Sequence, residues 1–184
     1  MYEYSTSLYG RVPALTFHQF KNMESVITCY NNPSFETLPL LNEVYGINML
    51  ITSIKHNYQI YRATIKCKEL NIRYHNFLIN QKNDPLDKSV DIDLVINQIK
   101  NYFDLLKNEK ISLLINSGSG VFSGSILAYC LLRMSGENRV DALNILTNLR
   151  LEKNCRLGEY RYEFAEKKLV SKLIEPELIT LKNK

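Results

Sequence analysis

The chain of 184 residues has no tryptophan, and its four cysteines form no Cys-x-x-Cys pair. The missing indole decides nothing, but the thiol spacing is informative. Cys29, Cys67, Cys130 and Cys155 lie far apart, as do His18, His56 and His75. That scatter argues against a zinc site and against a disulfide framework, and predicts reduced thiols in a cytosolic or nuclear setting with no metal and no cofactor. No apolar run approaches the roughly 20 residues that span a bilayer. The start, Met1-Tyr-Glu-Tyr-Ser-Thr6, lacks a signal-peptide pattern. A soluble intracellular protein without a membrane partner is expected. With 7 glycines and 5 prolines, low-complexity and fibrous classes are excluded too.

What is present is ordinary globular composition, 45% hydrophobic and 23% charged, in a length suited to one domain with a full core. The formal charge of +4 permits a phosphate-bearing or nucleic-acid partner without requiring one. The first 37 residues, with Pro13, Pro33 and the turn Asn31-Asn32-Pro33, read as a loop-rich lead-in, and residues 175–184 as a tail. Within the lead-in, Val12 to Phe17 and Val26 to Tyr30 suit short edge strands.

Leu38 to Tyr45 predicts a short helix closed by Gly46. Ile47 to Ile54 is a β-branched apolar run that predicts a buried strand. Tyr61 to Leu70 reads as a helix, with Asn71 where a left-handed cap would sit, and Ile72 to Ile79 as a strand. Asn80 to Lys88 is a polar loop. From Ser89, an N-cap candidate, Ile92, Val95, Ile96, Ile99, Tyr102, Phe103 and Leu106 trace one helical face. Ile111 to Ile115 is a strand. Helical patterns follow over Ser125 to Met134, Arg139 to Leu149 and Glu159 to Leu173, with breaks at Gly136 and Gly158. The order predicts an α/β fold: a central mixed sheet of about five strands flanked by helices, with a helical C-terminal third.

The segment from Ile111 to Met134 carries the most information. A buried strand enters Ser117-Gly118-Ser119-Gly120, and a helix leaves it. Such a turn presents backbone N–H groups and the positive end of a helix dipole to one point, which suits an anion. The plainer reading is a tight turn that needs glycine. Gly118-x-Gly120-x-x-x-Gly124 is also a loose relative of dinucleotide fingerprints, but those usually open the first strand–helix unit. Absence of Gly-Lys-Ser/Thr excludes a Walker loop.

The same residues resemble the signature loop of the protein tyrosine phosphatase superfamily, His-Cys-x-x-Gly-x-x-Arg-Ser/Thr-Gly. Asn116 stands at the histidine, Ser117 at the cysteine and Ser123 at the arginine, while Gly120 keeps the pattern. From about Leu38 to Leu169 the chain is similar to dual-specificity-type members. Asn71-Ile-Arg-Tyr74 is similar to their "Gly-Ile-x-Tyr" strand. Arg139 to Arg150 resembles their "x-x-x-Ala-x-x-x-x-x-Arg" helix, and Glu163 to Leu169 lies where a terminal helix usually falls. The lead-in and Gly158-Glu-Tyr160 are similar to the RNA 5′-triphosphatase branch.

The resemblance implies a thiolate nucleophile, an arginine clamp and an aspartic general acid at three positions. Here those positions hold Ser117, Ser123 and, by ungapped extension from Ile72, Gln81. An alkanol with no apparent base is a poor nucleophile at neutral pH, and a hydroxyl lacks the guanidinium's charged fork. Asp84 and Asp87 lie slightly beyond the acid position and would serve only with an insertion. Loss of general acid catalysis typically costs 10²–10⁴-fold by itself. The sequence therefore predicts a pseudophosphatase, with no catalytic residues, that works by binding.

The loop expected to retain weak anion affinity is Ser117, Gly118, Ser119, Gly120, Val121, Phe122 and Ser123, with Ser125 as a further hydroxyl. Arg133 and Arg156 are candidates by type for a replacement cation, and Phe122 for filling the emptied cleft. The expected partner is a protein, with a phosphorylated peptide or an RNA 5′ end as other ligands. The alternative is an active phosphatase or RNA triphosphatase that uses an atypical nucleophile or a partner subunit. Lys167, Lys168, Lys172, Lys182 and Lys184 add either an electrostatic contribution or merely a solvated helix face and tail.

Overall fold

A computed structural model describes residues 5–7, 10–12, 14–30, 36–79, 91–116, 121–149 and 159–174. Two short strands, β1 (Ser5–Ser7) and β2 (Gly10–Val12), pair antiparallel with each other. The main sheet has five strands: β3 (Phe17–Gln19), β4 (Val26–Tyr30), β5 (Met49–Thr52), β6 (Arg73–Asn76) and β7 (Ser112–Asn116). Their order is β3-β4-β7-β5-β6, with β3 antiparallel to β4 and the remaining pairs parallel.

The lead-in departs from expectation at both predicted strands. Val26–Tyr30 is not an edge strand, since it is inserted between β3 and β7. Its middle residue, Thr28, is wholly buried and donates from Oγ1 to the Thr16 carbonyl at 2.6 Å. A satisfied hydroxyl tolerates the interior, and the neighbours of a strand in the sheet are set by residues distant in the chain. The second expected strand, Val12 to Phe17, is split between the end of β2 and the start of β3.

The sheet is covered on both faces, as parallel strands require. Side chains alternate accordingly. Ile27, Met49, Ile51, Leu113 and Ile115 join one core with helices α3 (Ile92–Asn108), α4 (Val121–Met134), α5 (Arg139–Asn148) and α6 (Glu159–Ala165). Leu50 and Leu114 point the other way, into a smaller core with α1 (Leu38–Tyr45) and α2 (Asn57–Glu69). Every residue of α4 from Ser123 to Leu132 is buried, which marks it as the central helix of its layer. No helix among the described residues is long and apolar enough to cross a membrane.

Local signals explain most helix ends. Gly46 closes α1 at φ +64°, and Asn71 follows α2 at φ +54°, a conformation that asparagine tolerates. The cap of α3 is Asp91 rather than Ser89, its carboxylate accepting from the Leu94 N–H at 3.0 Å. Helix α2 starts at Asn57, ahead of the expected Tyr61, because its first turn is exposed and buries no periodic side chain. A buried hydroxyl then ties the layers together. Ser25 Oγ lies 2.8 Å from the Leu106 carbonyl and 2.7 Å from that of Glu109, and accepts from the Ile111 N–H at 3.0 Å. It joins β4 to the α3–β7 turn.

His75, on edge strand β6, sets one pH response. Its ring meets Tyr102 edge-on at 5.1 Å, and its buried Nε2 has no hydrogen-bond partner among the described residues. Burial, then the nearby charge of Arg73, holds its pKa below the ordinary 6.5. The unfolded chain then binds more protons than the folded one just below pH 6.5. The His75 contribution to stability is therefore lost as pH falls through 6.5 toward the folded pKa, then levels off. Urea melts across that range should show wild type losing more stability on acidification than His75→Phe. Parallel curves would assign the pH response to other groups.

Candidate functional site

Four parallel strands end on one line. Tyr30, Asn116, Thr52 and Asn76, the last residues of β4, β7, β5 and β6, are in register across the sheet. Ligand sites in open α/β sheets form beyond such carboxyl ends. Strand β7 ends at Asn116 on this edge, and α4 begins at Val121. The sequence pointed to the turn but not to the row. Its signal, a polar residue closing each apolar strand, is visible only once the strands are aligned.

The row is neutral and largely self-satisfied. Asn76 Oδ1 accepts from Thr52 Oγ1 and from the Ile54 N–H, each at 2.9 Å, and its Nδ2 donates to the Ile54 carbonyl at 2.9 Å. With the Thr52 proton so placed, the Tyr74 hydroxyl donates to Thr52 Oγ1 across 2.8 Å. Burial pushes the Tyr74 pKa up, which keeps that phenol protonated. These bonds lock the ends of β5 and β6. They leave no ionised side chain in the row.

Ser123 is the predicted site residue whose surroundings are clearest. It lies in the first turn of α4, 1% exposed, and its Oγ accepts the Ile79 N–H at 3.0 Å. The Ile79 carbonyl is 3.5 Å from the same oxygen. The position of the resemblance's arginine thus holds a small hydroxyl turned to the backbone at the end of the segment after β6. Val121 to Ser123, expected in the loop, form the start of the helix, which begins ahead of the predicted Ser125. Glycine at 124 lowers helix propensity and made this turn read as loop. Asn116 and Ser125 are buried.

The other predicted site residues divide into two groups. Ser117, Gly118, Ser119, Gly120, Gln81, Asp84, Asp87 and Arg156 lie outside the described residues, as do the side chains of Val121 and Phe122 and the lysines 182 and 184. Arg133 is described, and its guanidinium is engaged elsewhere. It sits one residue from the C-terminal end of α4, about 18 Å along the helix from its start at 1.5 Å per residue. Its Nε donates to Glu166 at 2.6 Å and its Nη1 to the Glu137 carbonyl. Lys172 pairs with Asp93 at 3.2 Å.

No described thiol is poised as a nucleophile. Cys29, Cys67 and Cys130 are buried, and burial raises all three pKa values, that of Cys67 to about 11. Each is a neutral thiol at pH 7, and the thiolate is the reactive form. Among described residues, the edge offers hydroxyls, amides and the first-turn N–H groups of α4. Such groups can solvate an anion.

No protein-family model and no curated protein matches the sequence. Solved structures do match. A kinase-associated phosphatase with serine substituted for its catalytic-site cysteine is 18% identical, with a TM-score of 0.61 over 84% of this chain and 94% of that one. The core catalytic domain of the PP-IP phosphatase Siw14 from S. cerevisiae is 14% identical, with a TM-score of 0.57 over 91% of each chain. The phosphatase Tk-PTP in its active form is 11% identical, with a TM-score of 0.58 over 84% of this chain and 96% of that one. At such identities the likeness is one of fold. This chain has the α/β fold of the protein tyrosine and dual-specificity phosphatases, a five-stranded mixed sheet flanked by helices with a helical C-terminal part.

Proposed function

We propose that this chain is a phosphatase-fold domain without phosphatase activity, acting as a binding or scaffold module for a partner protein. The observation that carries this reading is the state of Ser123. Its hydroxyl is buried and bonded to the Ile79 backbone, so the position that would clamp a phosphoryl group supplies no charge. Phosphoryl transfer depends on positioning and on stabilising spread negative charge, and both demands meet at that position. Ser117 at the nucleophile position and Gln81 at the acid position point the same way. The backbone of the turn retains weak affinity for a phosphorylated ligand, since hydrogen bonds to charged groups are worth roughly 1.5–3 kcal/mol.

Hydrolysis of p-nitrophenyl phosphate and of triphosphate-ended RNA tests the reading. Both rates are expected at the level of the uncatalysed control and unchanged in Ser117→Ala. Turnover that disappears in Ser117→Ala would establish an enzyme with a serine nucleophile instead.

A further inference from the structure

Helix α2 carries its bulk on the solvent side. The face against the sheet holds the small side chains of Ala63 and Cys67, both wholly buried, with Ile60 partly covered. The opposite face holds Tyr58, 70% exposed, Tyr61, 64% exposed, and Ile65, 42% exposed. At 3.6 residues per turn, positions 58, 61, 62 and 65 form one stripe, about half a turn away from Ala63 and Cys67. Within it the Arg62 guanidinium lies 5.8 Å from the centre of the Tyr58 ring, which orders both side chains. Other large exposed hydrophobics, Val44, Leu94, Val140 and Tyr160, fall one to an element. Scattered singles are normal surface, whereas three on one helical stripe form a patch.

The patch is set in positive charge. From Lys55 to Glu69 the chain carries Lys55, Arg62, Lys66 and Lys68 against one acidic residue, Glu69. Glu69 is already paired with Lys66 at 3.0 Å. This short segment therefore holds most of the formal charge of +4. Tyrosine and arginine are among the side chains enriched at interface hot spots, and a basic rim selects an acidic counterpart. Ile65, at the centre of the stripe, offers an aliphatic contact that suits an apolar side chain rather than a stacked base.

We propose that the outward face of α2 is a docking surface for an acidic, amphipathic segment of a partner protein. Tyr58, Tyr61 and Ile65 receive its apolar side chains, and Lys55, Arg62 and Lys68 its carboxylates. This gives the binding module a partner chemistry, but it does not rest on the absence of catalysis, because α2 packs on the sheet face opposite α4.

The test is selection of a random phage-displayed peptide library on the full chain, with Tyr61→Ser/Ile65→Ser as the counter-target. Recovered peptides should be rich in Asp and Glu around Leu, Phe or Trp. The tightest one, synthesised, should lose roughly tenfold or more in affinity for Tyr61→Ser and for Arg62→Glu, and should weaken with added salt. All three positions are exposed, and thermal melts of each variant confirm folding, with Tyr58→Ser as a replacement for any that fails.

Peptides that are neutral or basic, or whose binding ignores these substitutions, overturn the proposal. An oligothymidylate that binds this face when no acidic peptide does makes it a nucleic-acid surface. Dimerisation that is lost in Tyr61→Ser makes it a self-association surface. Either result also overturns the proposal. Phosphate hydrolysis by the same preparation would remove the claim of inactivity and leave the peptide result standing.

Discussion

Ser123→Arg is expected to lower the unfolding free energy by about 3 kcal/mol. The wild-type side chain is 1% exposed and bonded to the Ile79 N–H at 3.0 Å. The substitution removes that acceptor and brings a cation into a layer where α4 is buried on all sides from Ser123 to Leu132. Uncompensated buried charges cost about 3–5 kcal/mol, and a freed backbone N–H about 1–3 kcal/mol, although a flexible side chain recovers part by reaching water. For a chain of this size the midpoint should fall by roughly 6–12 °C. Millimolar inorganic phosphate should restore little of it. An unchanged midpoint that phosphate then raises would show that the loop still accepts the guanidinium of an active phosphatase, and would undercut the purely structural role assigned to Ser123.

The second large effect belongs to Tyr129. This residue is wholly buried at the centre of α4, its ring 4.9 Å from that of Tyr162 and its hydroxyl donating to Glu166. Glu166 lies in a π-helical turn, Glu166–Val170, that follows α6. One extra residue in that turn shifts the helix register. Burial alone would raise the Glu166 pKa, but the bonds from Arg133 and Tyr129 outweigh it and hold the carboxylate below its ordinary range. The same burial, reinforced by Glu166, pushes the Tyr129 phenol well up.

Tyr129→Ala is expected to cost about 4 kcal/mol, in line with large aromatic truncations, while Tyr129→Phe costs about 1 kcal/mol by removing the hydroxyl alone. Chemical denaturation of the pair separates packing from hydrogen bonding. Equal losses in both would mean that the Glu166 bond, and not the ring, holds the C-terminal helix to α4.

Much of the fold was legible along the chain. The apolar runs around β5 and β7 reported strands buried on both faces, the spacing from Ile92 to Leu106 reported the packed face of α3, and Gly46 and Asn71 marked helix ends. Errors gathered where burial and periodicity part company. The first turn of α2 buries nothing, so it left no pattern, and Gly124 disguised the first turn of α4. Val26 to Tyr30 read as an edge strand because its pairing with β7, far along the chain, leaves no local pattern.

The signature-loop residues carried the functional expectation by type alone: serine cannot supply a thiolate's nucleophilicity or a guanidinium's charge, wherever it sits. Side-chain chemistry is a property of the residue, and local periodicity is a property of neighbouring residues, so both are read directly from the sequence. Partners distant in the chain are not. Ser123 finds Ile79 from 44 positions away, Arg133 finds Glu166 from 33, and β4 enters the middle of the sheet beside β7. The outward placement of Tyr58, Tyr61 and Ile65 was equally hidden, because a helix with small residues on one side and large ones on the other has two candidate inner faces. Packing of Ala63 and Cys67 against the sheet chose between them, since only the small side chains let α2 approach it closely.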